Sequence, residues 1–281
     1  LVISGAVNAI LNMVLVILFH LDVEGVAIAT VISQMISCVL VLRCLCKTDA
    51  CYQLHFSKLS INGKYLRQIF QVGVPAGIQS TVINFSNVLL QSSVNSFGPI
   101  EMAGYTAANN ILGFLYVSIN SVTQACMSFT SQNYGAGNIK RCKKVFWLNM
   151  LFGIVFTEIL AVIFIVWSDF FVGIYTKSTA VAAYALIRMY HVCSLEGLTT
   201  TYEVESAALR GMGKSVEPAI FTILGTVVFR LIWLGTVFRL RSTFDWLLNV
   251  YAASWIFTGC ALFIVYVRHM KKVEGRQKSA L

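Results

Sequence analysis

The sequence predicts an all-α polytopic membrane protein with eight transmembrane helices. Three observations carry that prediction. Of its 281 residues, 57% are hydrophobic and only 12% are charged, where soluble domains carry about 25% charged residues. Eight apolar runs of near-spanning length follow one another along the chain. The loops between them alternate between strongly basic and nearly uncharged.

The runs cover 1–21, 26–42, 69–97, 103–134, 145–167, 182–209, 216–238 and 245–267. The second is short, and several others exceed the bilayer thickness, which tilt and protruding ends absorb. The net charge of +9 does not mark a nucleic-acid surface. Sixteen of the 21 Lys and Arg residues fall on one set of alternate loops, from Arg43–Arg67, Lys140–Lys144, Arg210–Lys214 and Arg268–Lys278. Excess Lys and Arg mark cytoplasmic loops, so this set, including the C-terminal tail, is expected on the cytoplasmic side of the cell membrane. Partners are then the lipid bilayer and a small-molecule substrate, with no nucleic acid and no cofactor.

Four segments follow in order: a helical pair over 1–43, a polar cytoplasmic linker over 44–68, a six-helix unit over 69–268 and a tail over 269–281. The first pair resembles the last in spacing. Thr30 precedes Arg43 by 13 residues, and Ser254 precedes Arg268 by 14. Both hairpins start from the cytoplasmic side, as in transporters built from parallel repeats. The chain opens at Leu1 inside an apolar run. About four further helices are therefore expected upstream, as part of a longer protein that acts as a monomer.

Polar residues inside the runs keep helical spacing. Ser80, Asn84, Asn87, Gln91 and Asn95 are separated by three or four residues, as are Asn109, Gly113, Tyr116, Asn120 and Gln124. Each set lines one helical face. Amides in hydrocarbon need a partner or water; one such stripe can be interhelical glue, whereas two in succession point to a shared wet cavity. A third face carries Glu196, Thr199, Thr200, Glu203, Ala207 and Arg210. Glu203 lies about 10 Å inward from Arg210 at 1.5 Å per residue. A carboxylate at that depth costs about 2.5–3.5 kcal/mol or more to insert. It is therefore protonated, paired with Arg188 or Arg230, or holding a cation. Glu205 points to another face, and Glu158 sits alone in its run.

Other chemistry finds little support. Gly213-Lys214-Ser215 resembles the end of a phosphate-binding loop, but the required first glycine is replaced by Ala208 and no strand precedes it; a turn between helices is expected. Cys44, Cys46 and Cys51 cluster without the spacing or further ligands of a metal site, so reduced thiols are expected. His20, His55, His191 and His269 lie in separate elements, and no nucleophile–base pair supports an intramembrane enzyme.

Several stretches resemble the multidrug and toxic compound extrusion (MATE) family of antiporters. "GVPAGIQSTVINFSNVLLQSSVNSFG" (73–98), "MAGYTAANNILGF" (102–114), "FTSQNYGAGN" (129–138) and "ALRGMGKSVEP" (208–218) are similar in order and spacing to the second lobe of its bacterial members. "NAILN" (8–12) and "GVAIAT" (25–30) are similar to the last two helices of the first lobe. The resemblance implies twelve helices in two lobes that rock about a central cavity, and export of organic cations or amphipathic drugs against sodium or proton entry. It places Asn8, Asn12 and Thr30 at a first-lobe cation site, with Asn12 where relatives often carry aspartate. It also puts Ile83 where some members carry a glutamate, and Glu203 at a glutamate common in the bacterial subgroup. Coupling is thus expected at Glu203 and Glu196, and substrate contact at Gln79, Ser80, Asn84, Asn87, Asn109, Tyr116, Asn120, Thr199 and Thr200. A lipid-linked saccharide flippase of the same superfamily is the alternative. Its anionic cargo would favour a basic cavity, which only Arg188 and Arg230 suggest.

Overall fold

The computed structural model describes residues 2–49 and 53–279, with the side chains of 277–279 left aside. Cys51 of the expected thiol cluster lies outside the described residues. The chain divides into two compact units, 1–63 and 64–281.

In the first unit, α1 (Val2–Asn12) widens into a π-helical turn (Met13–Leu18) and pairs with α2 (Asp22–Lys47). Gly25, Ala29 and Ser33 form a buried stripe of small residues along α2. Spacing of four keeps such residues on one face and lets two helices approach closely. The Ser4 hydroxyl donates to the Ser33 carbonyl at 2.9 Å across that contact.

The second unit is built from α3 (Gly63–Asn95), α4 (Pro99–Gly135), α5 (Ile139–Val166), α6 (Ser168–Tyr175), α7 (Thr179–Val192), α8 (Gly197–Gly211), α9 (Val216–Ile223), α10 (Phe229–Gly235), α11 (Val237–Leu240) and α12 (Phe244–Ser279). Among the described residues, five segments are long and apolar enough to cross a membrane: Asp22–Lys47, Pro99–Gly135, Ile139–Val166, Val216–Leu240 and Phe244–Arg276. The other three passes depart from that pattern for visible reasons. Val2–Leu18 is short, α3 carries the first amide stripe, and the pass formed by α7 and α8 is broken.

The helices end where their sequences dictate. Pro99 starts α4 after Gly98 (φ 138°), since proline suits the first helical turn. Asn138 caps α5 by accepting from Arg141 N–H at 3.1 Å. Gly213 (φ 78°) closes α8, with its own N–H bonded to the Arg210 carbonyl and that of Lys214 to the Leu209 carbonyl. Gly213-Lys214-Ser215 is therefore a helix-ending turn, as its sequence suggested.

The core lies among α4, α5, α7, α8 and α12. Phe146 of α5 is fully buried and stacks on Tyr266 of α12 with ring centroids 3.9 Å apart. Glycine permits a close contact of α4 with α7: a Cβ on Gly104 would lie 2.7 Å from the Tyr184 Cβ and 2.8 Å from the Val181 carbonyl oxygen. Outward, α5 exposes Trp147, Leu151, Phe152, Val155, Ile159 and Val162. That face suits lipid, because its backbone groups are satisfied within the helix.

One expectation needs correction. The run 182–209 is two helices, because α7 ends in a single 3₁₀ turn (Cys193–Leu195) before α8 begins at Gly197. The N–H of buried Gly197, free within its own helix, is capped by the Glu158 carboxylate of α5 at 2.9 Å. A helix start carries unsatisfied donors and positive partial charge, and Glu158 answers both. Its place is structural.

Candidate functional site

A cavity of about 620 Å³ opens within the six-helix unit. The amide stripes of α3 and α4 form two of its walls, with Gln79, Ser80, Asn84, Asn87 and Gln91 on one and Asn109, Gly113, Tyr116, Asn120 and Gln124 on the other. Glu196, Thr199 and Glu203 come from the break before α8 and from α8 itself. The third wall follows from spacing, since residues three and four apart on a helix share a face.

Thr200 does not join them. It is fully buried on the opposite side of α8, where its hydroxyl lies 3.2 Å from that of Thr157 on α5. Neighbouring helical residues diverge by about 100°, so Thr199 and Thr200 cannot both face a narrow cavity. The other eight residues expected at the substrate cavity all line it.

The carboxylates differ in setting. Glu196 is 6% exposed and stands at the N-terminal boundary of α8. Arg188 and Arg230 act on it only at long range, and no cationic group among the described residues comes within 4 Å. Glu203 is half-buried on the cavity wall and feels the charge of Arg210. That arginine instead donates to Ser206 Oγ, at 2.7 and 3.1 Å, and to Gln79 Oε1 at 3.5 Å. Of the three settings open to these acids, pairing with Arg188 or Arg230 is not found among the described residues. Glu205 is buried away from the cavity, with Oε2 lacking a partner there.

The residues expected at the substrate cavity left out the basic part of this wall, which entered only as partners for the glutamates and through the flippase alternative. Arg188 of α7 and Arg230 of α10 both line the cavity, 2% and 4% exposed. Arg188 donates from Nη2 to Asn109 Oδ1, and Arg230 from Nη1 to Asn87 Oδ1, both at 3.2 Å. Arg230 Nε also donates to Ser254 Oγ at 3.2 Å. The Tyr105 and Tyr251 hydroxyls share a 2.8 Å hydrogen bond. Arg188 lies over the Tyr105 ring at 3.7 Å, and both arginines lie about the Tyr251 ring, at 5.1 and 4.9 Å. The available signal was depth: a buried arginine requires acceptors, and the stripe amides were the nearest candidates.

In the first unit, Asn8 and Asn12 come together. Asn12 Nδ2 donates to Asn8 Oδ1 at 3.1 Å, and Asn8 Nδ2 to Ser33 Oγ at 3.2 Å. Thr30 returns its hydroxyl to the Val26 carbonyl at 2.8 Å, and its own carbonyl ends that chain of bonds by accepting from Ser33 Oγ at 2.9 Å.

Apolar outward faces around a polar interior cavity, with a helix broken beside it, define a polytopic membrane protein of the transporter kind. The MatE family model matches residues 75–233, more than half of the sequence, and the chain belongs to that family. Membership places it among transporters rather than enzymes. It is 26% identical over 238 residues to the probable multidrug resistance protein YoeA of Bacillus subtilis (strain 168), covering 79% of this chain and 50% of that one. It is 22% identical over 182 residues to the multidrug export protein MepA of Staphylococcus aureus (strain NCTC 8325 / PS 47), covering 65% and 40%. The chain thus spans half or less of the length of these relatives.

Of the solved structures that share the fold, two are informative here. One is described as the outward-facing conformation of a multidrug resistance MATE family transporter of the MOP superfamily; it matches with a TM-score of 0.88 at 17% identity, covering 97% of this chain and 61% of that one. The other is a MOP superfamily transporter from Pyrococcus furiosus, with a TM-score of 0.85 at 18% identity, covering 96% and 61%.

Proposed function

We propose that the full-length protein is a secondary active exporter of amphipathic organic molecules, organic cations among them, driven by sodium or proton entry through alternating access. The observation that carries this reading is the placing of Glu196 and Glu203 on one cavity wall, facing two stripes of amides, with no cationic side chain among the described residues within 4 Å of either. A proton needs one such acid, whereas sodium needs several oxygens, and hydroxyl and amide oxygens stand around these two. The bound cation neutralises the wall and shifts the protein between its two access states, which requires different affinity in each.

The six-helix unit serves as the second lobe, and the α1–α2 pair as the end of the first, with the Asn8–Asn12 pair as a further coupling position. The basic loops, the linker and the C-terminal tail face the cytoplasm, the host is the cell membrane, and the working unit is a monomer.

The test is ethidium efflux from vesicles containing the full-length protein, under imposed sodium or proton gradients. Wild type should respond to one of them, and Glu203→Gln should abolish that response. Gradient-driven efflux unchanged in the variant would overturn Glu203 as the coupling residue; ethidium neither bound nor moved by wild type would overturn the exporter reading.

A further inference from the structure

The cavity wall holds more positive than negative side chains: Arg188, Arg210 and Arg230 against Glu196 and Glu203. Arg210 is engaged with Ser206 and Gln79. The other two are not fully engaged. A guanidinium carries five N–H donors. Arg188 donates from Nη2 to Asn109, while its buried Nε and Nη1 lie against the Tyr105 and Tyr251 side chains without an acceptor in hydrogen-bond geometry among the described residues. Arg230 binds Asn87 and Ser254 through Nη1 and Nε, and its Nη2 has no acceptor among the described residues.

Aromatic rings cover the guanidinium planes without neutralising them, and the amide oxygens that meet them carry no charge. Two buried cations against one tyrosine ring, each with donors left over, form an incomplete electrostatic arrangement. Arginine completes such a setting with a carboxylate or phosphate, whose oxygens match its planar donors. Leu112, Val192 and Trp255 supply apolar wall beside it.

We infer that Arg188 and Arg230 form an oxyanion subsite in this cavity, which takes the carboxylate or phosphate group of an amphipathic molecule. The inference rests on the cavity being the transport cavity. It adds to that reading a recognition element separate from Glu196 and Glu203. A compound carrying both signs of charge would use both parts of the wall, its cationic group near the glutamates and its oxyanion between the arginines.

The test measures binding to the purified full-length protein in detergent, with carboxyfluorescein as the oxyanion probe and ethidium as the cationic one. Carboxyfluorescein should bind saturably, and benzoate should displace it from the wild type. Arg230→Gln should weaken its binding by about tenfold or more, the loss expected for one charge-assisted hydrogen bond, and Arg230→Lys should weaken it less. Ethidium binding should tighten in Arg230→Gln, because a like charge is removed; a purely structural role would weaken both probes together and would overturn the inference. Absence of saturable carboxyfluorescein binding, or binding indifferent to both benzoate and lysophosphatidic acid, would also overturn it. The competition on wild type decides the matter even if Arg230→Gln does not fold. Displacement by lysophosphatidic acid but not benzoate supports the subsite and assigns its oxyanion to a lipid headgroup. Ethidium binding without carboxyfluorescein binding leaves the exporter reading standing and removes this one alone.

Discussion

Glu158 of α5 accepts a hydrogen bond from the backbone N–H of Gly197 at 2.9 Å, across 39 residues of sequence, at the point where α7 gives way to α8. The acid holds open the break that brings Glu196 to the cavity wall. Gly197 leaves it no slack, since a Cβ there would collide with the Glu158 carboxylate. Glu158→Ala should lower stability by about 1–3 kcal/mol, the range for a buried donor left without its charged acceptor. Glu158→Gln retains an acceptor oxygen and should cost less. Gly197→Ala should resemble Glu158→Ala. Thermal unfolding of the three variants in detergent distinguishes these outcomes, and equal stability of Glu158→Ala and wild type would remove the cap from the account.

The hydroxyls of Tyr105 and Tyr251 meet at 2.8 Å between α4 and α12. Replacing either tyrosine by phenylalanine should cost about 1 kcal/mol, and replacing both should cost less than the two losses added, because one bond is removed once. A double-mutant cycle read by chemical unfolding measures the difference. Strict additivity would mean that the two hydroxyls are satisfied separately.

The passes were legible in the sequence because hydropathy and loop charge repeat on the scale of a bilayer, and the α3 and α4 walls because their amides keep a helical period. The break before α8 was not legible. Glu196 and Glu203 are seven residues apart, two helical turns, so the spacing reads the same with or without a 3₁₀ turn at Cys193–Leu195. The arginine partners were hidden by distance along the chain, with Asn109 lying 79 residues from Arg188 and Asn87 lying 143 from Arg230. Periodicity places a residue on a face; it does not say which other helix that face meets.

Gly104 tests the packing of α4 on α7. The Tyr184 Cβ and the Val181 carbonyl leave no room for a side chain, so Gly104→Val must separate the two helices. Overpacking of this kind costs about 1–3 kcal/mol. The variant should show a lower unfolding midpoint and a reduced yield of monodisperse protein. Gly113 has no atom within 4 Å of an added Cβ, so Gly113→Ala should leave both measurements near wild type and serves as the comparison on the same helix.

Glu205 is buried apart from the cavity, and its Oε2 finds no partner among the described residues. Burying a polar group without compensation costs about 1–3 kcal/mol. Glu205→Met, close in volume, should therefore raise the unfolding midpoint while gradient-driven ethidium efflux persists, in contrast to Glu203→Gln. Loss of gradient response in Glu205→Met would move the coupling site from the cavity wall into the helix core.

Thr199 and Thr200 provide the sharpest test of which side of α8 faces the cavity. Thr199 lines it beside Glu196, whereas Thr200 shares its hydroxyl with Thr157. Valine keeps the shape of threonine and removes the hydroxyl. Thr200→Val should cost about 1 kcal/mol of stability through the lost hydrogen bond, with ethidium affinity unaltered. Thr199→Val should leave stability near wild type, while ethidium affinity shifts because the cavity surface itself has changed. Affinity and unfolding midpoint measured for both variants separate the two faces. The reverse result, with Thr200→Val altering affinity and Thr199→Val altering stability alone, would require α8 to be turned by about one residue from the orientation that also presents Glu203 to the cavity.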